Sequence, residues 1–437
     1  MHINDMILMS VDDHVIEPPD MFKNHLPREL WDKAPQFVTT DKGADTWIFE
    51  GRKVVNVGLN AVVGRPREEY GCEPTSHDQM RPGVYDIHKR IDDMNVNGLA
   101  SSLCFGTFVG FDGGFFVAAE DKKNALRMVQ AYNDWHIDEW CGSYPGRHIP
   151  LAIMPLWDPA AMVKEIERVV KKGCHAFTFP DNPTARGLPS IHNASWEPVW
   201  KACADNKMVI NCHIGTGHPP PHPSMESPIN AWITGMPIAI ANAASDWVHL
   251  TAFSRYKDLK MALSEGGIGW IPYFLERADF TFKHHVWTRV DLGGKLPSEI
   301  FREHILTCFI DDKFGMANYQ AIGEDNIAYE CDYPHSDCTW PQAPEELFKC
   351  VAGVPDSVIN KVTHENIMRW YSWDPFPAVG GRDKLTVGAL RKVAAEAGVD
   401  TTPVSYGGGN PTLGSKGPVT SGDVVKLFQG QSGDEAA

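Results

Sequence analysis

Residues 148–180, HIPLAIMPLWDPAAMVKEIERVVKKGCHAFTFP, contain one complete repeat of an α/β architecture. Apolar runs at His148–Met154 and His175–Phe179 read as two short strands. Between them, 158–172 reads as a helix with both ends marked. Asp158 can cap the first turn, Pro159 suits the first helical position, and Gly173 can end the helix just before the next strand. Strand, helix, strand in so short a stretch is a crossover unit, which joins parallel strands.

The same alternation extends in both directions. Further strands are expected at Ile7–Val11, Leu99–Phe105, Met208–Cys212, Leu259–Leu263, His304–Phe309 and Asn326–Glu330. Helical spacing of three to four appears in Val84, Ile87, Ile91 and Met94, and again in Trp196, Val199, Trp200 and Cys203. Eight such units predict a (β/α)₈ TIM barrel over residues 1–375. An insertion after the first strand, about 20–83, contains TWIFEGRKVVNVGL, which reads as a hairpin turning near Gly51 and is expected to cover the barrel mouth. Residues 376–437, with GGGNPTLGSKGPVTSG, have a composition poor in core formers and are expected to form an extended arm or tail.

Composition narrows the function. The 437 residues carry 40 Lys and Arg against 56 Asp and Glu, a formal net charge of −16, which disfavours a nucleic-acid binder. Hydrophobic residues are 43% and the chain has 14 Trp, so it can bury a large core. No apolar run is long enough to span a bilayer, and the N-terminus turns acidic where a signal peptide needs an apolar centre; the expected location is cytoplasmic, with no membrane partner. Ten scattered Cys without C-x-x-C pairs read as reduced, buried thiols. The apolar stretch ESPINAWITGMPIAIANAASD, 226–246, reads as an inter-subunit helix and implies a homo-oligomer, at simplest a homodimer.

The chemistry sits at the C-terminal ends of the strands. The first runs into Asp12-Asp13-His14, the fifth into His213, the sixth into Glu265 and the eighth into Asp332. In a barrel these strand ends meet on one face, and Asp12 and His14, two apart, share a side of their strand. A mixed histidine and carboxylate shell suits Zn, Mn or Fe and leaves room for water. The expected metal ligands are therefore Asp12, His14, His213 and Asp332, and the expected partner is a small-molecule substrate. No glycine cluster has nucleotide-binding spacing. Trp270, Tyr273, Phe274, Trp287 and Trp340 read as core and pocket wall.

The segments SVDDHVIEP (10–18), NCHIGTG (211–217), LSEGGIGWIP (263–272), ECDYPHSDCTWP (330–341) and ENIMRWY (365–371) together resemble the amidohydrolase-related branch of the amidohydrolase superfamily, over about 7–375. The resemblance implies a metal-dependent barrel, hydrolase or non-oxidative decarboxylase, of the kind that acts on aminocarboxymuconate semialdehyde or gamma-resorcylate. It matches Asp12 and His14 to the first-strand pair, His213 to the fifth-strand metal histidine, and Asp332 to the eighth-strand aspartate. One position departs: where decarboxylases of the family have a histidine after strand six, this chain has Glu265. A carboxylate there can act as a base, orient water, or join a second ion with Glu17, His284, His285, His218 or His335. Three reactions are open to such a site. Hydrolysis of a small amide, lactone or related carbonyl substrate leads, with Asp332 and Glu265 handling protons and His335 or Arg65 holding a substrate carboxylate. Decarboxylation of a small aromatic acid comes second. A dinuclear non-haem oxygenase comes third; it alone needs a reductase partner and two ions per chain rather than one.

Overall fold

All eight expected runs form parallel strands in the computed structural model, which describes residues 1–41, 43–54, 57–71, 74–218, 221–406 and 417–432. They are β1 (Leu8–Val15), β2 (Leu99–Gly106), β3 (His148–Ile149), β4 (Ala176–Thr178), β5 (Val209–His213), β6 (Lys260–Ser264), β7 (Ile305–Phe309) and β8 (Ile327–Tyr329). Hydrogen bonding groups them into a three-stranded parallel sheet, β1-β2-β3, and a five-stranded parallel sheet, β4 to β8, each strand beside its sequence neighbour. Two seams join the sheets. Ala152, just past β3, bridges to Phe177 of β4. Beyond β8, the Asp332 N–H donates to the Asp12 carbonyl at 2.8 Å, and the His14 N–H donates to the Tyr333 carbonyl at 2.7 Å.

The inner faces of all eight strands pack into one core. Met9 and Val11, Leu103 and Phe105, Ile149, Ala176, Val209, Ala262, Leu306 and Ala328 belong to a single buried cluster with Trp370, Tyr371 and Leu390. The outer faces meet helices, and these form where the sequence provides both a cap and an apolar stripe. In α3 (Pro159–Val170), which follows α1 (Ile87–Val96) and α2 (Lys122–Asp134), the Asp158 carboxylate accepts the N–H groups of Ala160 and Ala161. Its buried face is Met162, Glu165, Ile166 and Val169, and Gly173 takes a φ of +85° behind it. The helices α4 (Glu197–Asp205), α5 (Ile229–Trp247), α6 (Ile271–His284), α7 (Pro297–His304), α8 (Ala343–Cys350) and α9 (Val387–Ala397) complete the main set.

In the insertion, Gln36–Thr39, Asp45–Phe49 and Arg52–Lys53 form an antiparallel sheet that turns through Glu50 and Gly51, both at positive φ. The Val62 and Val63 N–H groups reach the Pro334 carbonyl, which ties the insertion to the segment after β8.

The segment past Pro375 departs from the expected tail. Phe376–Val379 is helical, and α9 buries Val387, Leu390 and Ala394 against the fold, with the Val387 N–H donating to the Met6 carbonyl at 2.9 Å. Composition averaged over 376–437 hid this: an apolar residue every third or fourth position suffices for a docked helix whatever the glycine content nearby. Residues 407–416 of the glycine-rich stretch lie outside the described residues, as do Lys42, Val55, Asn56, Cys72, Glu73, Pro219 and Pro220. The nine described cysteines are free thiols. No helix among the described residues is long and apolar enough to cross a membrane. The expected inter-subunit stretch is α5, which buries Ala239, Ile240, Ala243, Ala244 and Trp247 in its own chain and exposes Ile233 and Ile238.

Candidate metal centre

The segment Asp12-Asp13-His14 lies inside β1, whose pairing with β2 continues to Val15 and Gly106. A register irregularity between Ser10 and Asp13 accompanies the turn of Asp12 and His14 to one side. Asp13 faces the other way. Its carboxylate accepts the Ser10 hydroxyl and the Tyr333 N–H at 3.1 and 3.0 Å, together with the Ser102 hydroxyl, so it pins β1, β2 and the loop after β8 together. Burial pushes its carboxyl up to about 6, against the pull of Arg90.

His213 ends β5. Its Nδ1 donates to the Ile214 carbonyl at 2.8 Å, which in the neutral ring leaves the Nε2 lone pair aimed into the site. That Nε2 lies 3.6 Å from Asp12 Oδ2 and 3.0 Å from Glu265 Oε2. His14 Nε2 stands 3.6 Å from Asp12 Oδ1 and 3.2 Å from Asp332 Oδ1. His335 stacks on His14 with ring centroids 3.7 Å apart and brings Nδ1 to 2.8 Å from Asp332 Oδ1. It is buried beside the ligands, as a candidate second-ion donor.

Three overlapping donor groups result among the described residues. Asp12, His14 and His213 form one; His14, Glu265, Asp332 and His335 form the second; Asp12, Cys308 and Glu330 form the third. Within them Asp12 Oδ1 and Oδ2, His14 Nε2, His213 Nε2, both Asp332 oxygens and His335 Nε2 are buried without a hydrogen-bond partner among the described residues. Each such atom costs about 1–3 kcal/mol if left alone, and one cation at their convergence satisfies several of them together. Oxygen and imidazole donors in this mixture fit a divalent transition metal ion.

The electrostatics agree. Burial raises Asp12 and Asp332 well above the usual carboxylate range, with Glu330 and Glu265, and then Glu265 and Asp12, adding to the rise. Burial holds His14 well below an ordinary imidazole and lowers His335 to about 4. For Glu265 burial pushes upward, but the His213 contact and the imidazole charges outweigh it and the net shift is down. Glu330, at the end of β8, was missed in the sequence although E-x-D there puts it on the same side as Asp332. It accepts the Cys308 thiol at 2.6 Å and the Glu265 N–H at 3.1 Å, and burial lifts it to about 7.

His284 and His285 do not reach the site. They sit where α6 ends, His284 stacked on exposed Phe280 and His285 beside exposed Trp287. A crossover helix runs back from the strand ends, so a position about 20 Å along it lies away from the catalytic face. His218 donates its N–H to Asp181 at 3.1 Å, and Arg65 contacts the Gln79 carbonyl; neither joins a donor group among the described residues. Trp270 donates to the Gly266 carbonyl, Trp340 is buried over Arg81, Phe274 packs on the core, and Tyr273 and Trp287 are exposed.

Glu17 is also outside all three groups. It is buried with Oε2 accepting the Phe108 N–H at 2.8 Å, and burial pushes its carboxyl from an ordinary 4.5 to about 7. A folded-state value above the unfolded one stabilises the protein while the group is protonated, and that contribution is lost as pH rises from about 4.5 through about 7. Glu17→Gln removes the titration. The variant is expected to melt higher than wild type at pH 8, by up to about 3 kcal/mol in stability, and to differ little at pH 5. Thermal melts of both proteins at the two pH values check this, and equal pH dependence refutes it.

The family model described as amidohydrolase matches residues 29–373. A gamma-resorcylate decarboxylase from Rhizobium radiobacter is 23% identical over 237 residues, 50% of this chain and 68% of the relative. Among solved structures, an amidohydrolase from Mycobacterium avium subsp. paratuberculosis superposes with a TM-score of 0.64 at 19% identity, covering 84% of this chain and 99% of that one. A 5-carboxyvanillate decarboxylase from Novosphingobium aromaticivorans, complexed with manganese and 4-hydroxy-3-methoxy-5-nitrobenzoic acid, superposes with a TM-score of 0.58 at 16% identity, over 85% and 97% of the two chains. With the family model spanning the segments at β5 and β8 that carry His213 and Asp332, the chain belongs to the amidohydrolase family.

Proposed function

We propose that this chain is a metal-dependent, non-oxidative decarboxylase of a small hydroxylated aromatic carboxylic acid, built on a (β/α)₈ barrel of which the two parallel sheets are arcs and the 20–83 insertion covers the mouth. The observation that carries the reading is the juxtaposition at the strand ends: a three-donor cation site, Asp12, His14 and His213, directly beside the Asp332 carboxyl and its 2.8 Å neighbour His335. The decarboxylase names of the similar proteins favour this reaction over hydrolysis, which the residues alone had placed first. When bound, a divalent ion, manganese by the same comparison, supplies a positive charge that fixes the substrate carboxylate and the neighbouring phenolic oxygen. Asp332 hands a proton to the ring carbon that bears the carboxylate. The carbon–carbon bond then breaks, its electron pair restores the ring, and carbon dioxide leaves without any redox change. His335 holds the returning proton against Asp332, and Asp12 and His213 keep the substrate end of the site fixed.

A second reading rests on Glu265. Glu265, Asp332 and His335 add three donors beyond Asp12, His14 and His213, so two ions can share the site, as an oxygenase with a reductase partner requires. The test is direct. Manganese-loaded protein is incubated with gamma-resorcylate and 5-carboxyvanillate, and carbon dioxide and the phenolic product are measured. Release of both in equal amounts is the expected result. No carbon dioxide from either acid, with turnover of a lactone or amide panel, overturns the decarboxylase reading.

A further inference from the structure

His14 and His213 lie between two phenylalanines. Phe105 of β2 is fully buried, with ring centroids 5.9 Å from His14 and 5.1 Å from His213. Phe111, from the loop after β2, lies 4.5 Å from each of the same imidazoles and 5.7 Å from His335, and unlike Phe105 it keeps part of its surface exposed. A molecule that reaches the two histidines meets the ring of Phe111.

The loop that presents this ring is rigidly built. In FVGFDGG, 108–114, Gly110 and Gly113 adopt φ of +78° and +65°, and a Cβ on Gly113 would stand 2.8 Å from Ile153. The Thr178 hydroxyl of β4 donates to the Phe111 carbonyl. The next residue, Asp112, is fully buried; it accepts the Gly114 N–H at 2.8 Å and a two-pronged contact from Arg186, Nε at 2.7 Å and Nη2 at 3.1 Å. Arg186 comes from the segment after β4, so two strand-end loops are clamped on either side of Phe111.

We propose that Phe111 is the aromatic wall of the substrate pocket, a specificity-determining residue that selects planar ring acids over aliphatic ones, and that the Asp112–Arg186 pair is its positioning device. This rests on the proposed function, in which the site takes an aromatic acid, and deepens it. A planar ring offset against Phe111 gains apolar burial and the preferred stacking geometry, whereas a small aliphatic acid can use only the polar end of the site.

The experiment is calorimetric titration of manganese-loaded wild type, Phe111→Ala, Phe111→Leu and Arg186→Met with two probes, 4-hydroxy-3-methoxy-5-nitrobenzoic acid and malonate. Manganese content is measured for each protein. Phe111→Ala is expected to weaken the nitro acid by about ten- to a hundredfold and malonate by less than about threefold, at unchanged manganese content. Arg186→Met is expected to weaken the nitro acid by about three- to tenfold. Phe111→Leu keeps apolar volume without the ring and carries the measurement if the alanine variant does not fold. An unchanged ratio of the two affinities in the Phe111 variants overturns the wall, as does a wild type that does not bind the nitro acid. Titration needs no turnover: ring-dependent binding without carbon dioxide release removes the decarboxylase and leaves the wall, and carbon dioxide release with an unchanged ratio does the reverse.

Discussion

His213→Ala is expected to purify with little tightly held manganese and to lose turnover by about 10³-fold or more. The imidazole is fixed by its own backbone, Nδ1 to the Ile214 carbonyl, so Nε2 has one direction in which to act, and that direction holds Asp12 Oδ2 and Glu265 Oε2. Loss of a partner one shell further out costs about 10–100-fold in metal affinity, and removal of a direct donor costs more. Turnover falls with it, because several kcal/mol of charge stabilisation depart with the ion at about 1.4 kcal/mol per factor of ten. The apoprotein is also the less stable form, since Asp12 and Asp332 then lie buried beside one another with no cation between them, and a chelator is expected to lower the melting temperature of wild type but not of His213→Ala. Elemental analysis of both proteins, with melts before and after chelation, is the check. Equal metal in wild type and variant removes His213 from the ligand set. The same measurement separates one ion per chain from two.

How far these features could be read from residues depends on the distance over which each is determined. Strand positions are local: an apolar run bounded by turn residues is enough, and all eight runs formed strands. The end of β1 was read short, at Val11, because Asp12-Asp13-His14 has poor strand propensity; the pairing partner Leu99–Gly106 holds it extended regardless. The candidate ligands were legible for a different reason, that a barrel brings all strand ends to one face, so sequence position at a strand end stands in for position in space. That rule says nothing of residues away from the ends. His284 and His285 have the right chemistry alone and lie at the far end of a helix, while His335 packs on His14 because the segment 332–335 folds back over β1. Phe111 has the same origin. Only the pattern of an aromatic and an acid between glycines, GFDGG, marks it, and nothing in that pattern tells which imidazoles the ring will meet. The helix α9 shows the reverse failure, a local signal in Val387, Leu390 and Ala394 diluted by averaging over a glycine-rich window.

Asp332→Asn separates the proton from the ion. The residue adopts a φ of +58°, a left-handed conformation that asparagine accepts as readily as aspartate, and its N–H bond to the Asp12 carbonyl at 2.8 Å does not involve the side chain. The substitution therefore keeps the backbone and the shape of the side chain and removes only the exchangeable proton and the charge. Asp12, His14 and His213 remain as a three-donor group, so the variant is expected to retain more than about half of the wild-type manganese when supplied with the ion in excess. Its kcat is expected to fall by about 10²–10⁴-fold, the range for loss of a positioned general acid, while KM changes little because the substrate oxygens are held by the other groups. Binding of 4-hydroxy-3-methoxy-5-nitrobenzoic acid should survive for the same reason. A kcat within about threefold of wild type would show that the proton comes from elsewhere, and Glu265, 3.0 Å from His213 on the same face, is then the carboxylate to replace next.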